Sequence, residues 1–242
     1  VKPFYQNLEQ KLGVKVDYEL PVWRKFASVE EQNLWFEAAD RPGLDYFLST
    51  TIHPNANPAI DAPCGFGEVK YTGRVDTHTL VNAYKNYLAD NGRLAKESFD
   101  YDALFVGEDS VTYKELTAKN IVSACGYGLK QDPYFGYLPL NGTKGELLVI
   151  HAPDYQEQHV IKSSVFTIPM ENDRYLVGAT YKWKDKTNEP TEASKNELLE
   201  KLRTFLKCDF EVVDHVAGIR PTVVDRRPLV GRHPEHSNLF VL

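Results

Sequence analysis

The chain has 242 residues, of which 42% are hydrophobic and 26% charged, and its formal net charge at pH 7 is -6. This composition is typical of globular proteins, and the length suffices to bury one large core or two smaller ones. Binding to nucleic acid requires a basic face, and no cluster of lysine or arginine stands out, so we expect no nucleic-acid partner. No run of 18 apolar residues occurs, so we expect no membrane partner.

Three cysteines, Cys64, Cys125 and Cys208, lie far apart and outside any CxxC pair. This pattern predicts neither a disulfide framework nor a metal site and favours a reducing, cytoplasmic setting. The chain opens on Val1 without the pattern of a signal peptide, and it stops within the apolar run NLFVL. We therefore expect it to be an internal segment of a longer protein.

The amino-terminal part predicts a helix over residues 4–12, which ends at Gly13 in the position of a helix C-cap. A strand over residues 14–18 should follow, with residues 22–26 as its neighbour. Ser28 and a glutamate three residues later then form the pattern of a capping box, which opens a second helix.

The middle of the chain begins with a connection over residues 52–67, which is rich in proline, asparagine and glycine. Asp76 is a favourable N-cap for a third helix, which ends at Asn91 and Gly92. Three short strands are predicted after it, over residues 103–106, 111–113 and 121–124.

The carboxy-terminal part is rich in branched and aromatic residues bounded by turns, which predicts strands. The strands over residues 159–169 and 174–181 should form a hairpin through residues 171–173. A helix capped at Thr191 should run to about residue 207. The predicted strands cover residues 145–151, 159–169, 174–181 and 210–219. Together these elements predict an α+β fold with a mixed, mainly antiparallel sheet flanked by helices.

Two glycine pairs are present, at Gly65 and Gly67 and at Gly126 and Gly128, and neither continues as GxGxxG. The dinucleotide-binding fingerprint needs that turn between a strand and a helix, so this segment alone should not hold FAD or NAD tightly. HExxH and GxSxG motifs are also absent, which argues against a metalloprotease or a serine hydrolase.

Arg220 lies between an apolar strand and Pro221, which forces an extended backbone and would hold the arginine rigidly. Its planar guanidinium suits a bidentate contact with a carboxylate ligand. The alternative is a structural ion pair with Asp225 or another acid. Residue chemistry alone favours the ion pair.

Several segments, in this order and spacing, resemble the family of D-amino-acid oxidase-like and glycine oxidase-like FAD-dependent oxidoreductases (DAO). The resemblance extends from Val1 to Leu242. The segments are GRVDTHTLVNAYKNYLADNG, NIVSACGYG, LPLNGTKGELLVI, YLVGATY, and GIRPTVVDRRPLVG followed by NLFVL.

The resemblance implies a substrate-binding domain over residues 1–72 and 143–224. Residues 73–142 and 225–242 would return to the flavin domain, whose amino-terminal Rossmann segment is missing here and would be the partner of this chain. FAD is thus expected in the full-length protein but not in this segment, which alone should be inactive.

The resemblance also suggests residue roles. Arg220 matches the arginine that binds the substrate carboxylate in amino-acid-oxidising members, which reverses the preference for an ion pair. Tyr181 matches a pocket-lining position, and Phe166 falls where glycine oxidase has a tyrosine, so strict glycine oxidase activity is not implied. The segment that approaches the flavin is matched by Ala124, Cys125 and Gly126.

The expected activity of the full-length protein is oxidation of the carbon–nitrogen bond of an amino acid or related amine. The protein would mainly orient the substrate, and no residue is assigned as a catalytic acid or base. A different class remains open, in which the chain is a cofactor-free binding module for a small anion or a partner protein. The missing GxGxxG motif is what this alternative predicts.

Overall fold

The computed structural model describes residues 2–242. The helices are α1 (Lys2–Leu12), α2 (Val29–Ala39), α3 (Thr77–Asp90) and α4 (Glu192–Arg203), with 3₁₀ helices at Tyr101–Ala103 and Gly126–Gln131. The strands are β1 (Asp17–Glu19), β2 (Val22–Lys25), β3 (Leu48–His53), β4 (Phe66–Val69), β5 (Gly73–Val75), β6 (Leu104–Val106), β7 (Val111–Tyr113), β8 (Leu116–Ala118), β9 (Ile121–Ser123), β10 (Thr143–His151), β11 (Val160–Lys162), β12 (Phe166–Pro169), β13 (Arg174–Gly178), β14 (Glu211–Arg220), β15 (Gly231–Arg232) and β16 (Leu239–Val241).

The largest sheet has eight strands in the order β14-β10-β13-β12-β11-β2-β4-β3. The pairs β10–β13, β12–β13, β11–β12, β2–β4 and β3–β4 are antiparallel, whereas β11 and β2 run parallel. The prediction of an α+β fold with a mixed, mainly antiparallel sheet is confirmed.

The chain forms two compact units, each built from separate stretches. The first unit contains the described residues up to Ala95 together with Glu146–Ala179 and Pro190–Val216, and the second contains Lys96–Gly145, Thr180–Glu189 and Ala217–Leu242. The assignment of substrate-binding and flavin-domain segments to the chain stays a prediction.

Two strand predictions were wrong. β1 is not the neighbour of β2 but pairs with β5, and both edges of β2 are taken, by β11 and β4. Pro21 separates β1 and β2, and its carbonyl accepts a hydrogen bond of 2.9 Å from the backbone N–H of Val160, which directs β2 to the large sheet. The single strand expected over residues 159–169 is instead two strands, because the chain folds back at Ser163, whose N–H donates to the Val165 carbonyl.

The caps agree with the sequence. Gly13 has a φ of +67°, as a left-handed C-cap requires, and the Thr191 side chain accepts a hydrogen bond from the Ser194 N–H. The hairpin between β12 and β13 turns at Asn172 and Asp173, whose φ values of 58° and 53° are typical of a type I′ turn. Local sequence therefore fixes these element boundaries.

The core of the first unit lies between α4 and the large sheet. Leu198 and Leu202 of α4 are fully buried, and they belong to one cluster with Leu148, Ile161 and Val177 of the sheet. This packing holds one face of the sheet against the helix and supports the regular register of β12 and β13.

The second unit is smaller and has its own core. It contains an antiparallel sheet of β6, β7 and β8 and a second sheet in the order β15-β16-β9, in which β16 and β9 run parallel. Leu129, Leu140 and Leu239 are buried in its core cluster. Among the described residues, none of the helices has the length and apolar character needed to cross a membrane.

Candidate functional site

Arg220 is the last residue of β14, and its half-buried guanidinium is held by the second unit. Its Nη1 donates to the carbonyl of Thr180 at 3.4 Å, and its Cζ lies 5.4 Å from the centre of the Tyr181 ring. Gly145 borders it so closely that an added Cβ there would be 2.2 Å from Nη2. A backbone carbonyl, an aromatic ring and a glycine therefore fix the guanidinium in place.

The ion pair considered from the sequence is absent within the second unit, where no carboxylate pairs with Arg220. Asp225 instead accepts a hydrogen bond of 3.1 Å from the backbone N–H of Arg227. Because a carbonyl at 3.4 Å uses little of the hydrogen-bonding capacity of a guanidinium, Arg220 keeps donors for a carboxylate ligand.

A cavity of about 510 Å³ lies within the second unit, and its lining includes two neighbours of Arg220 but not Arg220 itself. Tyr181, Gly126 and Pro221 line it, so two of the predicted site positions and the neighbour of Arg220 meet at one cavity. The remaining lining residues are mainly apolar, with two arginines: Leu129, Leu140, Thr222, Val223, Arg226, Arg227, Pro228, Leu229, Val230, Val241 and Leu242.

The three residues of the predicted cofactor segment do not line one cavity, and their role in cofactor binding stays a prediction. Gly126 lines the 510 Å³ cavity, Cys125 lines a separate cavity of about 160 Å³, and the exposed Ala124 lines neither of the two. Ser123, just before this segment, donates a hydrogen bond of 2.7 Å to the buried Asp132. Asp132 therefore anchors the end of β9 and, with it, the start of the segment.

Asp132 also accepts hydrogen bonds from the Tyr101 hydroxyl at 3.2 Å and from the backbone N–H of Tyr134 at 2.8 Å. Burial, followed by the negative charge of Asp132, raises the pKa of Tyr101. Tyr101 therefore stays protonated and donates to the carboxylate, which makes this cluster a structural support for residues 124–126.

Phe166 lies in the first unit, on β12, opposite Gly178 of β13. An added Cβ on Gly178 would be 2.6 Å from the Phe166 ring, so the glycine leaves room for that ring. The ammonium of Lys162 lies 5.5 Å from the ring centre, and burial and the charge of Arg24 lower the pKa of Lys162. The role of Phe166 in substrate binding stays a prediction.

Lys144 and Asp185 hold the 180–189 segment, which carries Thr180 and Tyr181. Lys144 is fully buried, and its ammonium lies 2.6 Å from Asp185 Oδ2. The hydrogen bond from Lys144, with further hydrogen bonds from Thr187, lowers the pKa of Asp185 to about 2. The Asp185 carboxylate is therefore ionised at neutral pH.

Replacing Asp185 by asparagine is expected to lower stability in a pH-dependent manner. The folded pKa of about 2 lies below the ordinary value of 3.8, so the ionised form stabilises the fold fully above about pH 4 and loses this contribution towards pH 2. Urea unfolding of wild type and Asp185→Asn between pH 2 and pH 7 checks this. A stability difference that grows towards low pH would contradict the assignment.

Two sets of site residues were missed by the sequence prediction. Arg226 and Arg227 line the 510 Å³ cavity and lie in the segment GIRPTVVDRRPLVG. The prolines near them were the feature of the sequence that could have identified them. Lys144 and Asp185 carried no signal, because their separation of 41 residues gives no hint of contact.

Comparison with known proteins shows the family to which this chain belongs. A model of the FAD dependent oxidoreductase family (DAO) matches residues 2–242. Glycine oxidase from Bacillus subtilis (strain 168) is 29% identical over 148 residues, which is 58% of this chain and 39% of that protein. The chain belongs to the FAD dependent oxidoreductase family.

Solved structures show the same fold. Glycine oxidase from Bacillus cereus ATCC 14579 has a TM-score of 0.81 at 20% identity, covering 99% of this chain and 71% of that one. Iminodiacetate oxidase from Chelativorans sp. BNC1 has a TM-score of 0.71 at 18% identity, covering 99% and 71%. The chain thus spans about seven tenths of these structures and 39% of the Bacillus subtilis protein in the sequence match.

FAD is the cofactor that the family implies, and the size and mainly apolar lining of the 510 Å³ cavity are compatible with part of it. This volume is in the range of small-molecule sites, whose walls are mostly apolar with a few polar groups. At Gly126, where φ is +54°, no atom lies within 4 Å of an added Cβ, so the cavity is open at that point. Gly126, Leu229 and Val230 are the residues that would hold an aromatic ring system there.

Proposed function

We propose that the full-length protein oxidises the carbon–nitrogen bond of a small amino acid or related amine with FAD as its cofactor. The observation that carries this proposal is the Arg220 guanidinium, which is fixed by Thr180, Tyr181 and Gly145 and is not paired with any carboxylate of the second unit. A fixed cation with spare donors, whose neighbours Tyr181 and Pro221 line a mainly apolar cavity, suits a carboxylate-bearing ligand.

In this proposal the residues of the chain bind and orient the substrate. Arg220 would donate hydrogen bonds to the substrate carboxylate, and the Tyr181 ring beneath the guanidinium would limit its movement. Restricting the substrate to one orientation lowers the barrier because less entropy is lost on the way to the transition state. When bound, FAD supplies the electron acceptor for oxidation of the amine to an imine.

The named relatives guide the substrate class. The glycine oxidases and the iminodiacetate oxidase are named for small amino acids that carry a carboxylate. Phe166, in the first unit, is proposed as a substrate-binding residue on the sequence resemblance alone.

We also propose a reducing, cytoplasmic setting, which the free cysteines Cys64, Cys125 and Cys208 support.

The full-length protein is expected to be yellow and to lose its flavin absorbance when a small amino acid is added without oxygen. The 242-residue chain alone is expected to be colourless, because it lacks the glycine-rich turn that binds the pyrophosphate. Absorbance spectra of both proteins check this. Stoichiometric FAD in the 242-residue chain would contradict the second part, and a full-length flavin that no amino acid or amine reduces would contradict the first.

A further inference from the structure

Lys144 is unusual because its side chain is fully buried and charged. Its ammonium donates to Asp185 Oδ2 at 2.6 Å, to Thr187 Oγ1 at 3.1 Å and to the backbone carbonyl of Glu189. All four residues belong to the second unit. The buried lysine therefore binds three acceptors within five consecutive residues of the 180–189 segment.

An ion pair at a buried lysine is not by itself a strong source of stability. Removing the Lys144 ammonium from water costs free energy that its attraction to the 35% exposed Asp185 offsets only in part, and a well-packed apolar pair often stabilises a core as well or better. What Lys144 provides instead is a defined position, since its ammonium must meet Asp185, Thr187 and the Glu189 carbonyl together. The pair therefore specifies where the segment lies.

The backbone of Lys144 holds the other end of the same segment. The Lys144 N–H donates to the Lys182 carbonyl and the Lys182 N–H donates to the Lys144 carbonyl, both at 2.9 Å. Side chains alternate along an extended segment, so this pair of hydrogen bonds at Lys182 fixes the side on which Tyr181 and Trp183 project. Their rings contact each other edge to face with centres 5.3 Å apart.

The segment held in this way carries two of the groups that fix Arg220. Its Thr180 carbonyl accepts from Arg220, and its Tyr181 ring lies under the guanidinium. The third group is Gly145, the residue that follows Lys144 in β10. Two consecutive residues therefore contact both groups: Lys144 binds Asp185, and Gly145 borders the Arg220 guanidinium.

We propose that Lys144 is a positioning residue for carboxylate binding, because its ammonium holds the 180–189 segment so that Thr180 and Tyr181 fix the Arg220 guanidinium. This proposal rests on the proposed function, in which Arg220 binds the substrate carboxylate. Lys144 touches neither substrate nor cofactor in this role, and Asp185 is its partner.

The test uses acetate as the carboxylate probe and acetamide as its uncharged counterpart, titrated into the flavin-loaded full-length protein. Binding is followed by the change in the flavin absorbance spectrum. The variants are Lys144→Met and Asp185→Asn, and Glu97→Gln is the matched control because it breaks an exposed pair with Lys114 in the same unit.

Asp185→Asn and Lys144→Met are each expected to weaken acetate binding by about five- to tenfold, which is within the range for residues that act through another residue. The double variant should lose no more than the larger single loss, because both changes remove one contact. Acetamide binding and the control variant should not change. Should Lys144→Met fail to fold, Asp185→Asn carries the test, since the Asp185 side chain is 35% exposed.

Arg220→Leu separates this proposal from the proposed function. If Arg220→Leu loses acetate binding while folded Asp185→Asn and Lys144→Met bind acetate as tightly as wild type, only the positioning role is overturned. If Arg220→Leu itself binds acetate normally, the carboxylate site is overturned and the positioning role with it. Equal losses of acetate and acetamide binding would show a general collapse of the cavity and would also overturn the positioning role.

Discussion

Replacing Arg220 by leucine in the full-length protein is expected to lower catalytic efficiency on an amino acid by at least about tenfold. A charge-assisted hydrogen bond to a carboxylate contributes about 1.5 to 3 kcal/mol, and about 1.4 kcal/mol corresponds to a factor of ten. The Michaelis constant should rise and turnover should fall. Steady-state kinetics on the purified flavin-loaded variant measure both.

The matched comparison is between an amino acid and the amine that lacks its carboxylate, because the arginine can matter only for the first. Thermal unfolding should change little, since no carboxylate of the second unit loses a partner when Arg220 is removed. Arg203→Leu, at an exposed arginine that ends α4, is the control for the loss of one positive charge. Equal losses on both substrates would reject the assignment of Arg220.

The sequence was sufficient where local chemistry decides the structure. Helix α4 begins at the predicted cap Thr191 and buries Leu198 and Leu202, because its leucines recur at helical spacing. The turn between β12 and β13 was predicted at residues 171–173, and in the structure Asn172 and Asp173 have the positive φ that these residue types tolerate. These features depend on residues within a few positions of each other.

Prediction failed where distant parts of the chain decide the structure. β1 pairs with β5, which lies more than 50 residues later, so the pattern of residues 14–26 could not show it. The part-buried contact between Lys144 and Asp185 joins residues 41 positions apart and follows no periodic pattern in the sequence. Both depend on tertiary packing, for which a single sequence gives no direct signal.

Only part of the site was predicted, because the rest of it also depends on contacts between distant residues. Arg220 stood out because Pro221 follows it at the end of a strand, and the structure does place Tyr181 beside it. The residues that fix the arginine could not be identified from the sequence. Gly145 is one of 15 glycines in the chain, and what distinguishes it is its contact with Arg220, which the sequence does not show.

Gly145→Ala in the full-length protein is expected to lower catalytic efficiency on an amino acid by about 10- to 100-fold, as misplacement by about 1 Å can do. The added Cβ would lie 2.2 Å from Arg220 Nη2 and 2.3 Å from Cζ and Nη1, far inside van der Waals contact. The guanidinium is the far end of a flexible side chain, so it should move while the backbone stays. Steady-state kinetics together with thermal unfolding separate these two effects.

Gly218→Ala is the matched control, because Gly218 lies in β14 of the same unit and no atom is within 4 Å of its added Cβ. The control should keep both efficiency and stability, and Gly145→Ala should keep stability while losing efficiency on the amino acid but not on the decarboxylated amine. This pattern would require that carboxylate binding depends on where the guanidinium lies and not only on its charge. Unchanged efficiency in Gly145→Ala would mean that Arg220 can bind the carboxylate from another position, and the fixed guanidinium would then have no role in orienting the substrate.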